Sequence, residues 1–576
     1  MKRVFALLLA LMLVMSLATT AFAADTSKLT IDTAGYSARV FDAYMVLSAT
    51  NDGVNYNYEV VSEYRDVLID VLDVVTTDKT EVQIDIDIVT AIGNLATGED
   101  VLHFADDLYR AILAADPAIA PIINNWDGAE RVVDQGYWLV ADVTDLEGDD
   151  ETNSLVILDT AGDADVKVAL KADVTTGVKK VDDENDSIIG EIAGNEDGRN
   201  WQDTADYDIG DVVPFRVTGQ LTNDVTSYTY YSFKIVDTVS EGLTHLDNSN
   251  PDENHIQLLL NGEVQTLKAA GETGEADWIY EIEGRTLTIY PNYGYTRNDG
   301  TVVEASAENG GDLLKLFPEN TPHDEINNST YTLGYHCLLN EDAVPGNAGN
   351  RNDVKVVISN NPYGDGFGET PLDTTITFTY NFVVNKVDPE GNPLTGAQFG
   401  LYKFVAEGQG KYPGAEPVAN TAEEAIKGNK YFNHPSANGY GKFVEVDRVT
   451  VNAEGTEFTF KGIDDGYYTL LETVVPDGYK AIEPVEFQVI ATHVSDLSGN
   501  PVNKLTDLHA VVKGGINQRI DGDEATGTLT AVIENHTGSE LPSTGGMGTT
   551  LFYIFGGLMT VAALVLLVTK KRMSVN

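Results

Sequence analysis

From Ala172 to His536 the chain is built from short runs in which apolar side chains recur at every second position. Gly, Asn, Asp and Pro cut each run short. Examples are "DVVPFRVTGQL", "TYYSFKIVDTV", "HIQLLL", "TLTIY" and "DVKVVIS", followed by "NFVVNKV", "AQFGLYKF", "TEFTFKGI", "YYTLLETVV", "VEFQVIA" and "GTLTAVIEN". A period of two sends successive side chains to opposite faces, so such segments bury their apolar row only by packing sheet against sheet. The expected fold class is therefore mainly β, in tandem Ig-like β-sandwich domains.

The first part of the chain mixes the two periodicities. "SKLTIDTA", "ARVFDAYMVL", "GYWLVADV", "SLVIL" and "DVKVALK" read as strands. In "VVSEYRDVLIDVLDVV", Val61, Tyr64, Leu68, Val71, Leu72 and Val75 fall at helical spacing, as do Leu102, Ala105, Leu108, Tyr109 and Ile112 in "GEDVLHFADDLYRAILAAD". The pattern predicts a strand-rich domain decorated with helices at 24–171, a middle sandwich at 172–380 and a last sandwich at 381–537. The polar stretches 406–438 and 493–526 read as loops inserted into the last sandwich.

At 576 residues the chain needs several cores. Its net charge of −54 is spread along the chain. That acidity repels phosphate backbones and excludes nucleic acid as a natural partner. "MKRVFALLLALMLVMSLATTAFAADT" has the basic start, apolar run and Ala21-Phe22-Ala23 exit of a signal peptide, residues 1–23. A second apolar run at 549–568, followed by Lys570, Lys571 and Arg572, is long enough to span a membrane with its basic tail inside. An exported chain commonly stabilises itself with disulfides, but Cys337 is the only cysteine here and reads as a buried apolar residue. Any covalent staple must be of another kind. The acidic runs "VDDENDSIIGE" and "LEGDDETN" lack EF-hand spacing and read as solvated turns. No metal, cofactor or Ser/His/Asp pattern emerges.

Three polar residues interrupt otherwise apolar rows of the last sandwich. Tyr468, Leu470, Glu472 and Val474 share one face of a strand, Phe382, Val384 and Lys386 another, and Leu529, Ala531, Ile533 and Asn535 a third. Separately, each buried polar group is costly. Together they make a reaction. Burial shifts a lysine toward its neutral, nucleophilic amine and keeps a proton on a carboxyl group, which can then polarise an amide and protonate departing ammonia. The expected product is a Lys386–Asn535 isopeptide bond, with Glu472 as the catalytic carboxyl. The middle region repeats the arrangement. Val174, Thr176, Val178 and Lys180 share a face, as do Tyr231, Phe233, Ile235 and Asp237, and Val354, Val356, Ile358 and Asn360. Strand parity selects Lys180 over Lys179 and Asn360 over Asn361, with Asp237 as the carboxyl.

"NKVDPEGNPLTGAQFGLY", "YYTLLETVVPDGY" and "VIEN" resemble the B-type repeats of collagen adhesins and Gram-positive pilins, and "WQDTADYDIGDVVPFRV", "KIVDTVSEGLT" and "SNNP" resemble the middle domain of major pilins. The resemblance implies the same lysine, acid and asparagine roles. "ELPSTGG", with Leu541, Pro542, Ser543, Thr544 and Gly545, is similar to the LPXTG signal read by sortases, and residues 541–576 then form a sorting segment. The resemblance implies cleavage between Thr544 and Gly545 and transfer of Thr544 to an amine. In shaft pilins that amine closes the first domain. "DVKVALKADV" offers Lys171 there, or Lys167, although Leu170 and Ala169 stand where the family has proline and tyrosine.

The implied protein is a cell-surface pilus subunit attached covalently to the wall, after transient membrane anchoring, and supporting adhesion. Its partners would be sortase, further pilin subunits, peptidoglycan and a host or matrix ligand. It needs no cofactor and, apart from crosslinking itself, is not an enzyme. A monomeric wall-anchored adhesin would carry the same signal without an acceptor lysine. A surface hydrolase would need a carboxylate pair, which the sequence does not reveal.

Overall fold

The computed structural model describes residues 26–537, apart from 37, 52–55, 147–150, 163–164, 171–173, 185, 188–198, 251–252, 408–411, 413, 415, 438 and 514–518. The signal-like start, Lys171, the motif Leu541 to Gly545 and the apolar run 549–568 lie outside the described residues. No helix among the described residues is long and apolar enough to cross a membrane.

In the first part, Thr26–Asp32 lies between Arg131–Asp134 and Asp165–Ala169 in one sheet. A second sheet is centred on Phe41–Asn51 and Gly136–Asp142. Helices Arg65–Val71, Glu81–Gly93 and Gly98–Ala114 share an apolar core with the second sheet through Leu68, Ile88 and Leu108. Gly98–Ala114 buries Ala105, Leu108, Tyr109 and Ile112 as its spacing predicts. Leu102, however, is exposed, because the buried stripe runs through Phe104, Leu108 and Ile112 at i, i+4 and i+8. Val75 is likewise exposed, since the helix after Tyr64 stops at Val71.

Glu81–Gly93 was not legible as a helix. Val82, Ile84, Ile86 and Ile88 alternate as in a strand, yet only Ile84 and Ile88 are buried, four residues apart on one helical face. The helix begins at Thr80, whose hydroxyl accepts from the Gln83 amide while the Gln83 side chain accepts from Thr80 N.

The middle part packs two sheets face to face. One runs in the order Trp201–Gln202, Val178–Asp182, Val212–Gln220, Thr330–Leu339, Ile256–Leu260, Glu263–Val264. The other centres on Asn350–Ser359 and Ser232–Val239, with Asp373–Phe378 and Thr204–Asp206 toward one edge. Their inner rows meet through Phe215, Phe233, Trp278 and Tyr335. Cys337 is buried in this core, where loss of solvent holds its thiol well above the usual range.

The last part is one continuous twelve-stranded path, in which the entering strand Tyr380–Val387 lies parallel to the closing strand Thr528–Glu534. The two stretches expected to be loops carry structure. Helix Ala422–Gly428 is capped by Thr421 and ends on Asn429 in the left-handed conformation, and Leu505–Val512 and Arg519–Asp523 complete the sheet path.

The middle and last parts meet around Lys403, which is 3% exposed. Its ammonium lies 2.6 Å from Asp186 and 2.5 Å from both Asp208 and Asp464. Burial alone would lower this lysine, but the surrounding carboxylates outweigh it and hold its pKa well above the ordinary value. "VDDENDSIIGE" is therefore not a solvated turn throughout. Asp186 holds Lys403, and the buried Asp182 pairs with Arg199.

Candidate functional site

In the last part, Lys386, Glu472 and Asn535 come from the entering strand, from Gly466–Val474 and from just beyond the closing strand. Parallel pairing sets Lys386 opposite Ile533, two residues before Asn535. Lys386 and Asn535 are each 1% exposed. Asn535 Nδ2 donates to Glu472 Oε1 at 2.8 Å, and Ile482 N donates to Oε2 at 3.1 Å. Asn535 Oδ1 is buried without a hydrogen-bond partner. A half-turn of the amide would offer that oxygen to a protonated Glu472.

The electrostatics suit that arrangement. Burial raises the Glu472 carboxyl, opposed by the Ile482 and Asn535 hydrogen bonds and by the Lys386 charge. Burial also brings Lys386 down to about 8, with Glu472 opposing. Its Nζ donates to Val387 O at 3.0 Å and Ile533 O at 3.1 Å. Two donated hydrogens satisfy a neutral amine and leave its lone pair for attack. The row on Gly466–Val474 ends sooner than its alternation suggests. A register shift separates Gln398↔Val474 from Phe399↔Glu472, and Val474 is exposed.

In the middle part the inward row is displaced by one residue from the expected parity. Thr175, Lys179 and Val181 are buried, whereas Val174 and Val178 are exposed and Lys180 reaches Asp203. Lys179 Nζ, fully buried, donates to Asp237 Oδ2 and to Asn352 Oδ1. Asp237 lies on the row Tyr231, Phe233, Ile235 as expected. Asn352 replaces Asn360 because Ser232–Val239 runs antiparallel to Asn350–Ser359. Asp237 pairs with Val354 and Val239 with Asn352, while Asn360 follows the far end, where Phe233 pairs with Ile358. Eight residues of strand separate the two asparagines, roughly 27 Å. The buried Asn360 instead donates to Leu146 O at 2.6 Å and accepts from Asn153 N at 3.0 Å, joining the first and middle parts.

Two further groups surround the middle constellation. Tyr335 donates to Asp237 Oδ2 at 2.6 Å and accepts from Asn352 Nδ2 at 3.0 Å, and His245 Nε2 lies 2.9 Å from Asp237 Oδ1. Tyr335 thus links the acid to the amide through one hydroxyl, where Glu472 and Asn535 meet directly. Burial lowers Lys179 and is only partly offset by Asp237. Burial would raise Asp237, but Lys179 and His245 hold it low while they are charged. If the lysine proton passes to the carboxyl, both groups become neutral in an apolar core, the form that reaction requires. Lys167, the alternative linking residue, is exposed on Asp165–Ala169 opposite Thr30.

Residues 380–500 match the SpaA family, described as a Prealbumin-like fold domain, and residues 533–574 match the LPXTG cell wall anchor motif. The chain is 23% identical over 413 residues to the Trypsin-resistant surface T6 protein of Streptococcus pyogenes serotype M6, covering 67% of this chain and 68% of that one. Among solved structures, the T6 backbone pilin of Streptococcus pyogenes superposes with a TM-score of 0.46 at 16% identity, covering 89% of this chain and 99% of its own. The major pilin SpaD of Corynebacterium diphtheriae gives 0.39 at 14%, covering 90% and 98%. At these values the arrangement of this chain is read from its own strands. The chain thus carries a SpaA-type Prealbumin-like domain and an LPXTG cell wall anchor motif, the marks of a cell-wall-attached surface protein, and it is similar to the T6 protein over two thirds of its length.

Proposed function

We propose that the chain is a structural subunit of a sortase-assembled covalent pilus and that it locks itself with two Lys–Asn isopeptide bonds, Lys179–Asn352 and Lys386–Asn535. In each, the lysine Nζ attacks the asparagine Cγ. The Cγ–Nδ2 bond breaks, and ammonia leaves with a proton relayed by Asp237 or Glu472. The observation that carries this reading is a buried lysine and a buried amide with an acid at two separate places, the acid fully buried at Asp237 and partly buried at Glu472.

Load geometry supports it. Tension enters the last part at Tyr380 and leaves beyond Asn535. With Lys386 joined to Asn535, force crosses directly between the entering and closing strands, and residues 387–534 stay outside the load path. The middle bond would likewise shield residues 180–351. Sortase would join Thr544 of one subunit to Lys171 of the next, with Lys167 the alternative acceptor, and the terminal subunit to peptidoglycan. The division into domains at 24–171, 172–380 and 381–537 belongs to the same proposal, with each sandwich enclosing one bond.

Peptide mapping of wall-released material tests the reading. We expect branched peptides joining Lys179 to Asn352, Lys386 to Asn535 and Thr544 to Lys171. Thr544 found only on peptidoglycan would replace the fibre subunit with a monomeric anchored protein. Unbranched lysine peptides would remove the internal bonds.

A further inference from the structure

The junction between the middle and last parts holds a second polar cluster, which the crosslinking chemistry leaves unused. His493 ends strand Val485–His493, Asp206 ends Thr204–Asp206, and Asp183 directly follows Val178–Asp182. His493 Nε2 stands 3.6 Å from Asp183 Oδ1 and 3.8 Å from Asp206 Oδ1, beyond hydrogen-bond distance of either. The three donor atoms lie within 4.8 Å of one another.

The other ring nitrogen fixes what Nε2 can be. His493 Nδ1 is 2.6 Å from Thr204 Oγ1, and that hydroxyl donates its own hydrogen to Val494 O. Thr204 can then only accept, so Nδ1 carries a proton. In the neutral ring, Nε2 presents a lone pair. Asp206 is 5% exposed, and its Oδ2 is buried without a hydrogen-bond partner. With the ring neutral, an imidazole lone pair and two carboxylates converge on one point; the two carboxylates otherwise favour the protonated ring, so a bound ion would take the place of the Nε2 proton.

We propose that Asp183, Asp206 and His493 form a divalent transition-metal site that ties the last part of the chain to the middle part. One imidazole with two carboxylates suits the Zn(II)/Mn(II) class better than Ca(II) or Mg(II), which favour all-oxygen shells. Ligand atoms bonded at about 2.0–2.2 Å in a tetrahedral shell stand roughly 3.3–3.6 Å apart, so the two His493–carboxylate distances need to shrink by only a few tenths of an ångström, and the two carboxylate oxygens, within 4.8 Å of each other, by about 1.5 Å at most. Asp183, with its side chain 20% exposed, leaves an entry path and room for water as the remaining ligand. Thr204 is a positioning residue that sets the tautomer and ring orientation.

Equilibrium dialysis of the mature chain against Zn(II) and against Mn(II), with elemental analysis, tests the site. We expect one tightly held ion per chain for at least one of the two metals. Affinity should fall by tenfold or more in Asp183→Asn and His493→Gln, and by about tenfold in Thr204→Val. Weak uptake by the acidic surface is common to all variants and cancels in the comparison. Equal uptake by wild type and a folded Asp183→Asn chain would overturn the proposal and leave His493 as an imidazolium held between two carboxylates. Because Asp183 is partly exposed, that comparison decides the matter even if His493→Gln fails to fold.

Discussion

Glu472→Gln separates the chemistry of the last constellation from its packing. The substituted amide has the size of the glutamate and can still hydrogen-bond Asn535, but it cannot deliver a proton. If Glu472 drives the bond, the variant keeps a free Lys386 and retains about 17 Da of ammonia that the wild type expels. The magnitude of the stability effect follows from the chain topology. Lys386 and Asn535 are 149 residues apart. Closing a loop of that length costs the unfolded chain about 5 kcal/mol in the chain-entropy description used for disulfides. For a domain of this size that corresponds to roughly 10–20 °C in Tm. Intact-mass spectrometry reads the bond, and calorimetry reads the loss in the transition of the last domain. A wild-type mass equal to the translated composition would refute the reasoning. So would an unchanged deficit in Glu472→Gln, or loss of the bond with no shift in that transition.

The middle site predicts that Asn352→Ala and Lys179→Ala each abolish one ammonia deficit, whereas Lys180→Ala and Asn360→Ala keep both, as tryptic mapping would reveal. Lys403→Met should cost about 3–5 kcal/mol by leaving Asp186, Asp208 and Asp464 without their cation, and should split the unfolding of the middle and last parts into separate calorimetric transitions. A single unchanged transition would count against that clamp. His434 is brought down to about 4 by burial first and Lys513 second, and its Nδ1 accepts from Ala437 N at 3.2 Å. Its folded pKa lies below the unfolded value near 6.5, so stability is full above about pH 6.5. It falls as pH drops toward 4, by about 3 kcal/mol at most. His434→Asn should flatten that acid limb in denaturant titrations, and an unaltered limb would show that His434 does not cause it.

The alternation of short strands, the polar residues within apolar rows and the anchor motif were legible because each is a local pattern in the chain. Lys386, Glu472 and Asn535 are examples. Each lies on an apolar row whose face is set by several neighbours, and the structure hydrogen-bonds Asn535 to Glu472 and buries Lys386 opposite Ile533. Lys179 was not readable in this way. "GVKKVD" places a valine two residues from either lysine, Val181 for Lys179 and Val178 for Lys180, and only packing shows which valine faces the core. Asn352 and Asn360 flank the same inward row at opposite ends. The antiparallel register with Ser232–Val239 chooses between them, and register is a relation between segments more than a hundred residues apart. His245 and Tyr335 escaped notice for the same reason. Glu81–Gly93 alternates like a strand and is a helix because Thr80 caps it and Ile84 and Ile88 meet a core made by distant residues. The sequence by itself determined which residue types must be buried and what reaction they could perform. The tertiary structure decided which lysine meets which asparagine, and it gathered Asp183, Asp206 and His493 at one joint. Periodicity reports the face of a strand, whereas partnership depends on how faces distant in the chain are brought into register.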